Sequence, residues 1–180
     1  MLGLLRWLAA LPLAALHRLG APAGWLAYLL SPSYRQRFIA NARQAGLGPA
    51  ESRPAIAEAG RLLLELPRLW LRPAGEPISP PVRWEGAEAI DAALALGRGV
   101  VFLTPHLGCF EVTAQAYAER YGPRFGPITV LFRPARKAWL RPLVGGSRTR
   151  PGLAAAPATL AGVRQMIRAL RRGEAVGLLP

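Results

Sequence analysis

The rhythm of hydrophobic positions changes three times along the chain. Residues 2–16, LGLLRWLAALPLAAL, are almost wholly apolar, yet the uninterrupted run from Trp7 to Leu16 falls short of the roughly 20 residues that cross a bilayer. His17 and Arg18 interrupt it, and after a Gly/Pro break a second apolar cluster, Trp25 to Leu30, mixes Trp and Tyr with leucine. That composition suits a membrane interface, so residues 1–30 read as a retained anchor of hydrophobic, membrane-associating helices. A cleaved signal peptide competes, but no small-x-small site follows the first run cleanly and Pro12 lies inside it. Two core helices of a soluble protein are the plainer alternative.

From Tyr34 to Gly46 the pattern is helical and basic, and Glu51 to Leu71 carries the stripe Leu62, Leu63, Leu66, Leu69 at helical spacing. Pro73, Pro77, Pro80 and Pro81 then mark a linker. Beyond it the period alternates between strand and helix, which argues for an α/β core over the rest of 31–180. VRWEG predicts a strand, Ala87 to Leu96 a helix, and Gly99 to Pro105 a buried strand. Helix, strand and helix follow at Glu111 to Tyr121, Ile128 to Phe132 and Thr159 to Arg172, and AVGLLP predicts a last strand. In open α/β sheets ligand-contacting residues lie just beyond strand carboxyl ends, so a chain stopping at Leu179-Pro180 is expected to be a fragment.

Charge narrows the partners. The 180 residues include 23 basic and 10 acidic ones, a net charge of +13, with 52% hydrophobic and only 18% charged residues. Such apolar content excludes a disordered tail, and the charge points to a phosphate-rich partner: nucleic acid, anionic lipid or an acidic carrier. Between Glu119 and Glu174 there is no acidic residue but a dense arginine series that includes Arg133, Arg136, Arg141, Arg148 and Arg150. Cys109 is the only cysteine, which excludes an internal disulfide and a cysteine zinc cluster.

The candidate chemistry sits in VVFLTPHLGCFE. A strand delivers His106 to its carboxyl end and Glu111 follows five residues later. On one continuous helix five residues turn about 500°, leaving the side chains about 140° apart, so the two can pair only across a turn. Gly108 supplies freedom for that turn, and Glu111 then falls in the first turn of the next helix, where the dipole favours a carboxylate. An imidazole held by a carboxylate is a general base for a hydroxyl. A bare His-x4-Glu is short and permissive, and chance neighbours account for most instances; the strand before it, the helix after it and the later strand ending in FRP raise its weight. Cys109, three residues from the histidine, could serve as a nucleophile, but a thiol pointing into the apolar layer is the plainer reading. His17 has no carboxylate nearby in sequence and reads as interfacial or structural, and Trp139 among basic residues fits a membrane interface as well as base stacking.

The whole run resembles the lipid A biosynthesis lauroyl/myristoyl acyltransferase family, part of the wider His-x4-Asp/Glu lysophospholipid acyltransferase group. The matching pieces are the apolar N-terminus, RQRFIANARQAG, the helix around Glu65, VRWEGAEAIDAALALGRGVVFLTPHLGCFE, LFRPARKAWLRPLV, GGSRTRPG and LRRGEAVGLLP. Many relatives carry HFGNWE where this chain has HLGCFE, so Leu107, Cys109 and Phe110 depart while His106, Gly108 and Glu111 stand. The resemblance implies an α/β fold like that of glycerol-3-phosphate acyltransferase, a mixed sheet flanked by helices. It implies transfer of an acyl chain from an acyl carrier protein thioester to a hydroxyl of a lipid A precursor, at the cytoplasmic face of an anionic inner membrane, without an acyl-enzyme, cofactor or metal. His106 is then the base and Glu111 its orienting partner, while Arg133 and Arg148 match family positions associated with substrate binding or site architecture. The family continues past the last strand with an Asp-Gln pair that this chain lacks, so the 180-residue form is expected to be inactive. The alternatives are a glycerophospholipid acyltransferase, a basic nucleic-acid-binding module, for which no recognisable motif is present, and a non-catalytic membrane scaffold.

Overall fold

The computed structural model describes residues 2–133, 139, 141, 145 and 150–178. The chain forms two compact units, Met1–Arg68 and Leu69–Pro180. The first is helical: α1 (Leu2–Ala10), α2 (Leu13–Leu30), α3 (Pro32–Gln44) and most of α4 (Pro49–Leu71). The expected Gly/Pro break does not interrupt α2, which runs through Pro22. Gly20 and Gly24 instead let α2 lie directly on α4. A Cβ at Gly20 would stand 2.6 Å from the Arg61 Cα, and one at Gly60 would run into the backbone of Gly20 and Gly24. Only glycine on both helices allows so close a crossing.

Polar ties reinforce that unit. The His17 imidazole and the Glu65 carboxylate form a hydrogen-bonded pair between α2 and α4. The Arg68 guanidinium donates to the Leu11 carbonyl at 2.7 Å, just past the end of α1. Leu4, Trp7, Leu26, Leu29 and Leu30 remain exposed. Among the described residues no helix is long and apolar enough to cross a membrane.

The second unit holds α5 (Ala87–Ala95), β1 (Val100–Leu103), α6 (Glu111–Arg120), α7 (Gly122–Phe125), β2 (Ile128–Phe132), β3 (Leu153–Pro157), α8 (Leu160–Arg171) and β4 (Ala175–Leu178). The strands lie in the order β1-β4-β2-β3 and all three pairings are parallel. The expectation of a mixed sheet is corrected to that extent: the one antiparallel contact among the described residues is an isolated bridge from Arg150 to Leu153. Adjacent residues of β4 face opposite ways. Ala175 joins a core with Leu94, Tyr117, Tyr121, Ile128 and Leu153, whereas Val176 joins Ala156, Met166 and Ala169 beneath α8. The sheet therefore separates two apolar layers, α5 and α6 over one face and α8 over the other.

Three expectations at the level of strands change. VRWEG is not a strand; it keeps the alternation, with Val82 and Trp84 half-buried and Arg83 and Glu85 exposed, but pairs with no neighbour. LAAAP, which lacks β-branched residues and was not expected to pair, forms β3 because it fits the register of β2 from Leu153 to Pro157. β1 is not buried throughout, since Val101 and Leu103 are exposed while Phe102 packs on the core.

Candidate active site

With every strand parallel, the carboxyl ends gather on one edge of the sheet. The β1 ladder continues one residue further, the Thr104 N–H donating to the Leu178 carbonyl at 2.9 Å, and then Pro105 and His106 leave it. Two tight turns follow: the Leu107 N–H donates to the Pro105 carbonyl at 2.8 Å, and the Phe110 N–H to the Gly108 carbonyl at 3.0 Å. Gly108 adopts a φ of +53°, the left-handed conformation that a side chain disfavours. The chain reverses there, so that α6 starts at Glu111 and carries a carboxylate at its positive end. The turn anticipated from the His-x4-Glu spacing is present.

His106, Glu111 and Arg133 line one cleft of about 830 Å³. Arg133 reaches it because it is the first residue beyond β2. His106 is exposed, and its ring packs edge-to-face on Phe110 with centroids 4.9 Å apart. Behind these polar groups the walls are largely apolar, with Phe102, Val130, Ile128 and Leu153 from the sheet and Tyr117 from α6. Tyr117 is buried and its hydroxyl finds no hydrogen-bond partner. Burial, then the nearby Glu174 and Tyr121, push its pKa from 10.0 up to about 12. Such a chamber combines a polar, hydrogen-bonding mouth with largely apolar walls.

Arg148 lies outside the described residues, as do Arg136 and Lys137. Cys109 is half-buried and is not among the residues lining the cleft, although Phe110 and Glu111 are. His17 belongs to the other unit and has the carboxylate partner, Glu65, that its sequence neighbourhood lacked. No group of three or more His, Cys, Asp or Glu among the described residues could hold a metal ion.

The linker contributes a part of the site that the sequence reading missed. Val82 and Trp84 line the cleft, and Gln115 of α6 does so while its side-chain oxygen accepts from the Arg72 guanidinium at 2.8 Å. Arg72 also pairs with Glu119 at 2.7 Å. Arg150, a buried side chain, donates to the carbonyls of Leu69 (3.3 Å), Arg72 and Pro73 (3.1 Å) at the end of α4. Burial, and then Arg72 beside it, lower the pKa of Arg150, while Glu119 opposes the shift. The alternation around Trp84 was the available signal; which surface it faced was not legible locally.

A comparison with curated proteins returns no match. The family model for bacterial lipid A biosynthesis acyltransferases matches residues 1–180, the entire chain, His106, Glu111 and the cleft included. On that match, the protein belongs to the bacterial lipid A biosynthesis acyltransferase family.

Proposed function

We propose that the protein transfers an acyl chain from an acyl carrier protein thioester to a hydroxyl of a lipid A precursor. The observation that carries this reading is the meeting of His106, Glu111 and Arg133 at the mouth of a cleft whose deeper walls are mostly apolar. In the reaction, a ring nitrogen of His106 accepts the proton of the acceptor hydroxyl as its oxygen attacks the thioester carbonyl carbon. The tetrahedral intermediate then collapses with cleavage of the carbon–sulfur bond. The departing thiolate takes the proton back from the imidazolium, leaving an ester and a free carrier thiol. Glu111, at the start of α6, steadies the imidazolium. Arg133 and Arg148 bind acceptor phosphates through charge-assisted hydrogen bonds. The positive charge and the exposed leucines and Trp7 of the first 30 residues support work at the cytoplasmic face of an anionic inner membrane, the apolar face lying in the interface.

The test is thin-layer separation of products after incubating the protein with acyl carrier protein thioesters and defined lipid A precursors. Transfer to the precursor that falls by about 10²–10⁴ in His106→Ala is the expected result, the usual contribution of a positioned base. Acylation of lysophosphatidate instead would assign the glycerophospholipid reaction. A His106→Ala variant with turnover near that of the unaltered protein would remove the base from the mechanism.

A further inference from the structure

The linker between α4 and α5 has no regular structure, yet it is fastened to α6 at both ends. Near its start the Ile78 N–H donates to the Glu119 carboxylate at 3.1 Å, beside the Arg72–Glu119 ion pair. Near its end Trp84 is held by aromatic contacts. Its ring meets that of Tyr121 edge-on, centroids 5.4 Å apart and planes at 87°, and the Arg120 guanidinium lies 5.3 Å from the centroids of both rings. Tyr121 is itself anchored, only 1% exposed and donating its hydroxyl hydrogen to the Ala87 carbonyl at 3.4 Å. Each contact of this kind is worth about 0.5–1.5 kcal/mol, enough to keep the indole in one place without sheet pairing.

Where the indole is kept matters. Glu111 opens α6 beside the strand carboxyl ends, whereas Tyr121 follows its last residue and packs with Ile128 and Leu153, the first residues of β2 and β3. Ten residues of helix span about 15 Å, so Trp84 walls the cleft at the end remote from Glu111 and His106. Arg83 and Glu85 on either side also border the cleft but are exposed at its rim, which leaves Val82 and Trp84 as the half-buried side chains of this stretch.

We infer that Trp84 is a specificity-determining residue, closing the apolar end of the cleft and so setting the longest acyl chain that fits with its carbonyl at His106. This rests on the proposed acyl transfer, because only a chain entering from the His106 end would meet the indole last. A smaller side chain at position 84 lengthens the chamber. Each additional methylene buried is worth on the order of a fourfold gain in affinity.

The experiment has two arms, both using the whole chain. In the first, saturated fatty acids from decanoate to palmitate displace a fluorescent fatty-acid probe from the protein and from Trp84→Ala and Trp84→Phe. The affinity optimum is expected to move to longer chains in Trp84→Ala, with Trp84→Phe between it and the unaltered protein. In the second, acyl carrier protein loaded with the same chains in equal amounts competes for transfer, and the chain-length distribution of the product should shift in the same direction. Trp84→Phe keeps an aromatic ring against Arg120 and Tyr121, so it serves if the alanine variant fails to fold. An optimum that stays in place in the folded variants overturns the inference and makes Trp84 a core residue only. Displacement that shifts with position 84 without transfer to a lipid A precursor would uphold the chamber independently of the proposed reaction.

Discussion

The imidazole of His106 rests edge-on against the ring of Phe110, centroids 4.9 Å apart and planes at 64°. The contact is made across the turn at Gly108, so one aromatic ring sets the attitude of the other at the mouth of the cleft. An edge-to-face pair is worth about 0.5–1.5 kcal/mol beyond its buried area. Phe110→Ala should therefore let the imidazole sample other rotamers and lower acyl transfer about tenfold, the factor that corresponds to about 1.4 kcal/mol. Phe110→Trp, which keeps an aromatic ring against the imidazole, should keep turnover. Kinetics read beside thermal unfolding separate this effect from lost stability; unchanged turnover in Phe110→Ala would mean that the ring is oriented by something else.

The helical unit depends on a crossing that admits no side chain. A Cβ at Gly60 would collide with backbone atoms of Gly20 and Gly24, which cannot swing aside as a side-chain tip would. Gly60→Ala is expected to destabilise the protein by about 1–3 kcal/mol, the usual cost of overpacking, despite the better helix propensity of alanine. Gly3→Ala, in open space on α1, is the matched control and should be neutral or slightly stabilising. Urea unfolding of the two variants side by side makes the comparison.

Arg150 is a buried cation whose compensation comes from three helix-end carbonyls. Removing the guanidinium leaves those acceptors without their donor, which costs about 1–3 kcal/mol for each buried group left unpaired. Arg150→Ala should accordingly lose on the order of 3 kcal/mol in chemical denaturation. Arg150→Lys keeps the charge but not the fork, and should recover part of the loss. A loss below about 0.5 kcal/mol in Arg150→Ala would show that water serves those carbonyls equally well.

Tyr117 makes stability fall at high pH. Its pKa in the folded protein is raised to about 12 from 10.0, because burial first, and the nearby Glu174 and Tyr121 next, disfavour the phenolate. The folded state thus binds the proton more tightly than the unfolded one. The contribution is complete below pH 10 and is lost as the pH rises from there through about 12. Tyr117→Phe should flatten the decline in unfolding free energy across that window. Because the hydroxyl has no partner, the same variant should be neutral or more stable at pH 7. An unaltered decline would assign the high-pH loss to other groups.

Local pattern was enough to reveal α5, α6 and α8, though not the short α7, together with β1, β2 and β4 and the turn that separates His106 from Glu111. Each rests on short-range physics: a 3.6-residue or two-residue period, a glycine where φ must be positive, a carboxylate at a helix start. The same short range explains the failures. VRWEG and LAAAP differ in whether a neighbouring strand offers backbone partners, which no local alternation records. Gly20, Pro22 and Gly24 resemble a break until α4 supplies Gly60 as the opposing surface. His17 lacked a carboxylate because Glu65 lies 48 residues away. The sequence by itself determined the family, the positive charge and the His-x4-Glu candidates at the end of β1. Tertiary structure decided that His106, Glu111 and Arg133 share one cleft, that Arg72 and Arg150 brace the linker, and that Trp84 stands at the far end. Those relations depend on parallel strand order and helix packing between residues distant in the chain, where the free energy comes from burial and hydrogen bonds that no local window contains.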